Sequence, residues 1–183
     1  MANTNAPFGF RAQPPMLWML EFSVDSSNAT ACFQGDMIIF ESDGNVAPAT
    51  AGSLFLLGAV EGLVPTGNTA LALNKRVLAG STAGSIMVHY SPIQRYLVQF
   101  GNAAPTQTIL GNNADHVATA GSGTTGLSQH VLSTTTGTGT AGFKLLDFLR
   151  ADDNDETAAY VRIIAEINEH VSKVIASAGP DGV

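Results

Sequence analysis

Cysteine is nearly absent: Cys32 is the only one in 183 residues. A single thiol excludes an internal disulfide framework and a cysteine-based zinc site. Charge is scarce as well. Asp, Glu, Lys and Arg make up 13% of the chain, about half the share of an ordinary soluble domain. Only eight residues are basic, the net charge is −7, and basic residues are adjacent only at Lys75-Arg76. Phosphate backbones need clustered Lys and Arg, so nucleic acid is not expected as a partner. The longest apolar runs, MLWML and SLFLLGAV, fall far short of the ~20 residues that cross a bilayer. The opening MANTNAPFGFRAQPP has no apolar run behind a basic start, so neither a secretory signal nor a membrane partner is expected.

The constellations that carry chemistry are also missing. His89, His116, His130 and His170 fall on different runs, without the i, i+4 spacing of a helical zinc motif. The acidic run Asp152 to Glu156 lacks the glycine and the closing glutamate of a calcium loop and reads as a solvated turn. Gly80-Ser81-Thr82-Ala83-Gly84 has threonine where a nucleophile elbow needs serine. No catalytic residue, cofactor or metal is therefore expected, and the chain is not read as an enzyme.

What the chain does have is a series of short apolar segments between Gly, Asp-Gly and Pro punctuation. These predict strands near 16–24, 35–41, 53–61, 84–90, 95–100, 127–132, 143–149 and 159–168, with a further apolar step around Val117. The expected fold is mainly β: a single barrel-like or sandwich domain over 16–170, with an extended N-terminal arm (1–15) and a short C-terminal tail (171–183). Gly35-Asp36 and Asp43-Gly44-Asn45 read as tight turns, and Gly58 as a bulge or sharp bend. The Gly/Thr-rich tract 121–142 reads as two turns around one strand. Residues 65–68 read as a loop, and 71–77 as a helical turn or a strand. Residues 158–175 fit both the two-residue and the 3.6-residue period, so periodicity leaves strand and helix open there.

The opening NAPFGFRA and the later FQGDMI resemble a family of tailed-bacteriophage head structural proteins. So do NADHVATAGSGTTGLSQHVL, KLLDFLRADDN and VRIIAEINEH, in the same order and at similar spacing. The resemblance covers 2–11, 33–40 and 112–170. The chain departs from the pattern at Ala12-Gln13-Pro14-Pro15 and in the residues that follow His170. The resemblance implies a capsid decoration (cement) protein with the major capsid protein as partner. Such a protein is made in the host cytoplasm and carried on the virion, on the outer surface of the shell. It also implies that 160–168 is a strand. Another virion role, such as a minor head protein, head fibre base or tail protein, is the alternative.

Low charge and an abundance of small residues suit a protein that tiles a surface, and a homotrimer is expected because closed cyclic symmetry covers exposed area. Within the arm, Phe8, Phe10 and Arg11 are the expected anchors to a capsid protein or a neighbouring subunit, since aromatics and Arg dominate interface hot spots.

Overall fold

The computed structural model describes residues 2–64 and 76–173. Thirteen strands and one 3-10 turn (Gln107–Ile109) make up its regular structure. The strands are β1 (Arg11–Ala12), β2 (Met19–Val24), β3 (Cys32–Phe33), β4 (Met37–Phe40), β5 (Val46–Pro48), β6 (Gly58–Val64) and β7 (Val77–Leu78). They continue as β8 (Gly84–His89), β9 (Arg95–Gln99), β10 (Asn113–Val117), β11 (Val131–Gly137), β12 (Phe143–Phe148) and β13 (Arg162–Ile167). A six-stranded sheet runs β1-β9-β13-β12-β10-β11, a five-stranded sheet runs β2-β8-β6-β4-β5, and β3 pairs with β7. The expectation of a mainly β domain holds. Its form is a sandwich with free sheet edges, not a closed barrel.

Strand β13 settles the ambiguous segment. It lies between β9 and β12, antiparallel to both. Ile163, Ala165 and Ile167 are fully buried, while Arg162, Ile164 and Glu166 are half-buried on the other face. That is the two-residue period of a strand, and both of its edges are hydrogen-bonded. In β12 the pairing shifts between Leu145 and Asp147. The extra residue changes the parity, so Phe143, Leu145 and Phe148 all reach the core.

The five-stranded sheet has two apolar faces. Met37 and Ala59 join the main core with the six-stranded sheet, whereas their neighbours Ile38 and Val60 join a second cluster. Val24, Val46, Leu57, Ile86 and Val88 complete this cluster, together with Cys32 and Leu78 from the small β3–β7 pair. The sheet curls around this second cluster.

Several boundaries differ from expectation. Strand β6 begins at Gly58, and the third strand therefore extends beyond 61. Gly58 has φ +149°, and a Cβ there would lie 1.9 Å from the His89 carbonyl oxygen. Gly58 therefore marks a close approach of two backbones, while the irregular pairing falls between Val60 and Gly62. In the Gly/Thr-rich tract the strand is 131–137, not 127–132. Strands β3, β5 and β7 have two or three residues each, too few to show a period. The loop expected at 65–68, most of 71–77, and tail residues 174–183 lie outside the described residues. Val171 packs on the second cluster.

Candidate functional site

The N-terminal segment is extended, as expected, but it belongs to the domain. Asn3 donates through Nδ2 to the carbonyls of Asp155 (2.8 Å) and Ala159 (3.1 Å) and accepts from the Asp155 N–H. Strand β1 pairs Arg11 with Leu97 and Ala12 with Tyr96, adding the segment to the six-stranded sheet. Phe10 is 2% exposed. Its ring stacks on Phe143 at 4.5 Å and meets Tyr96 edge-on at 6.3 Å. Its N–H donates to the Gly35 carbonyl.

Gly9 makes this insertion possible. It has φ +73°, and a Cβ there would sit 2.4 Å from the Ser128 Cβ and 2.5 Å from the Gly35 carbonyl oxygen. Phe10 is therefore a core residue and cannot anchor a neighbour, because its burial already satisfies it within the chain. Phe8, half-buried, and Arg11, exposed, remain at the surface with the guanidinium 5.2 Å from the Phe8 ring centre. All three line one cavity of about 200 Å³ beside Glu61 and Arg76.

The large apolar exposure follows directly after this buried segment. Met16 is 60% exposed, Trp18 73%, Met19 and Leu20 45% each, and Ile93 62%. Buried Gln94 holds the stretch in place. Its Nε2 donates to the carbonyls of Gln13 (2.8 Å) and Arg95, and its Oε1 accepts the Leu17 N–H at 2.8 Å. Residues 13–17 are thereby fixed against the turn that carries Ile93, and Gln13, Pro14, Pro15, Leu17, Ile93 and Arg95 enclose a cavity of about 300 Å³. Beyond them, β2 is the terminal strand of its sheet. Isolated exposed apolar residues are ordinary on a protein surface; a run of this size along a sheet edge is not. MLWMLEF reads as a strand in the sequence, but the unbroken apolar run from Met16 to Leu20 is the one signal that apolar side chains fall on both of its faces.

A buried polar cluster lies beneath the Gly35 turn. Asp36 is 2% exposed, His116 1% and His130 4%. Asp36 accepts the Phe33 N–H at 2.8 Å, and its Oδ1 faces His130 Nε2 at 3.5 Å. The imidazoles of His116 and His130 lie 5.5 Å apart. Burial raises Asp36 to about 6 and lowers His130 to about 3, because a dry interior disfavours charge of either sign. His116 is lowered for the same reason. Asp36 and His130 floor a cavity of about 460 Å³ between the Phe33 and Ala120 segments.

The fold thus gathers two of the four histidines that the sequence placed on separate runs. His89 instead contacts Glu61 at 3.1 Å, and His170 contacts the Leu57 carbonyl at 2.8 Å. Among the described residues, no three His, Cys, Asp or Glu side chains converge in a way that could hold a metal ion. Asp152 to Glu156 form a built turn, since buried Asn154 donates to the Leu149 and Arg162 carbonyls and accepts the Arg162 N–H. No described helix is long and apolar enough to cross a membrane.

Compared with known proteins, the chain matches no family model, no curated protein and no solved structure.

Proposed function

We propose that this chain is a virion structural protein that decorates and stabilises a phage capsid by binding the assembled lattice of the major capsid protein. It acts by binding and not by catalysis. The observation that carries the reading is Trp18, 73% exposed and flanked by Met16, Leu20 and Ile93 on a chain poor in charge. Trp is the residue most enriched at energetic hot spots, and leaving it in water is costly unless a partner covers it. The family resemblance of the segments around Phe10, Phe33 and Val161 points the same way.

A cement protein works by mass action. It binds the assembled shell and not the dissociated subunits, so its binding free energy adds to shell stability. Assembly as a homotrimer would multiply a modest contact by engaging several capsomers together.

The test is co-sedimentation with heads that lack accessory proteins. The reading predicts saturation at a copy number comparable to that of the capsid protein, and heads that withstand higher temperature once decorated. Binding at only a few copies per particle would favour a minor head or tail component instead, and absence of binding would overturn the virion reading.

A further inference from the structure

The phase of β2 determines which backbone groups lie on its free edge. The Tyr90 N–H donates to the Trp18 carbonyl at 2.9 Å, and β2 pairs with β8 in a register that places Leu20 opposite Val88 and Phe22 opposite Ile86. In an antiparallel ladder alternate residues exchange both hydrogen bonds. Trp18, Leu20 and Phe22 therefore bond inward to β8. The N–H and C=O groups of Met19, Glu21 and Ser23 point out along the edge.

The side chains divide the same way. Leu20 and Phe22 share the face of Val88 and Ile86, which belong to the second apolar cluster. Met19, Glu21 and Ser23 occupy the opposite face and are exposed. The strand is exposed from Trp18 to Glu21; Phe22 is half-buried against Phe40 and Tyr90, and Val24 is buried in the second cluster with Val46 of β5. Neither proline nor lysine protects it, although natural edges usually carry such guards.

We propose that β2 is the receptor for an extended strand of a partner protein. The strand adds antiparallel to Met19–Ser23, presents apolar side chains to Leu20 and Phe22, and places a lysine or arginine opposite Glu21. Charge selects this occupant over a second copy of the chain. Self-pairing that uses all three free residues sets Glu21 against Glu21, and like charges directly opposite one another are destabilising. Of the other terminal strands, β3 (CF), β5 (VAP), β7 (VL) and β11 (VLSTTTG) carry no cation, and β1, which carries Arg11, has only two residues. Main-chain bonds would supply affinity and the alternating side chains specificity. The inference specifies how the surface described above takes its partner; it rests on the capsid reading only for that partner's identity.

The experiment needs no phage. The probe is the peptide acetyl-Thr-Val-Lys-Val-Thr-amide, and the reporter is the emission of Trp18, the one tryptophan of the chain. The expected result is a saturable blue shift, at least tenfold weaker binding when the peptide lysine is replaced by glutamate, and reversal of that preference in Glu21→Lys. Replacing both peptide valines with N-methyl-valine should leave Lys-peptide binding intact, since their N–H groups point away from β2. N-methylating the lysine nitrogen should abolish it.

The proposal is overturned if folded protein gives no response to the lysine peptide, or if the charge swap leaves the preference unchanged. A sedimenting dimer that Trp18→Asp dissolves would assign the edge to a second copy and also overturn it. Failure here leaves head binding to be judged on its own, and failure to bind heads leaves the peptide result standing.

Discussion

Phe10 and Trp18 belong to the same proline-bearing opening stretch, yet one is 2% exposed and the other 73%. Both are large aromatics in an extended backbone, so neither residue type nor conformation separates them. The difference lies in what the chain supplies around each. Phe10 follows Gly9, whose missing Cβ lets the backbone press against Ser128 and Gly35, and it enters a site already lined by Phe143 and Tyr96. Trp18 precedes a strand with a neighbour on one side only. An aromatic beside a glycine and a facing sheet becomes core, whereas the same kind of residue at a sheet edge is left for a partner.

This contrast is most easily broken at Phe10. Phe10→Ala should cost about 3–5 kcal/mol of folding stability, as for other buried aromatics cut to alanine. Urea unfolding measures it, and a loss near zero would return Phe10 to the surface. Gly9→Ala should cost about 1–3 kcal/mol from strained backbone at positive φ, with a further contribution from the contact with Ser128. Thermal melts of the two variants should rank in that order.

Acid probes the polar cluster beneath the segment. His116 and His130 have folded pKa values below the ordinary 6.5. Their contribution is therefore lost as pH falls below about 6.5, because the unfolded chain takes up protons that the folded chain refuses. Asp36 acts in the opposite sense. Its pKa rises from 3.8 to about 6, so protonation on acidification favours the folded state and offsets part of the histidine loss. Asp36→Asn removes that offset, and between pH 7 and pH 5 the variant should lose about 1 kcal/mol more than the unmodified protein. An identical pH dependence would contradict the assignment. Arg11→Ala should have the smallest effect, about 0.5–1 kcal/mol from the contact with Phe8, read from the same melts.

Much of the fold is legible in the sequence where strands are long and half-buried. Ile163, Ala165 and Ile167 alternate cleanly, and Gly35 and Gly44 stand at the turns that their neighbours predict. Strands of two or three residues leave no periodic trace, and most of β11 is hidden because the run from Ser133 to Gly137 (STTTG) signals turn more strongly than strand. The site was less legible. Phe8, Phe10 and Arg11 line one cavity, but sequence carries no burial signal that would set Phe10 apart from Phe8. Likewise nothing local to Asp36, His116 and His130 foretells their meeting, which depends on the Gly35 turn, β10 and the start of β11 converging.

Trp18→Ala tests the central claim most directly when stability and head binding are measured on the same protein. The account predicts a folding free energy within about 0.5 kcal/mol of the unmodified chain, as for a surface substitution. It predicts co-sedimentation with bare heads at least roughly tenfold weaker, as for a hot-spot aromatic. Undiminished head binding, or a stability loss as large as that of Phe10→Ala, would contradict it.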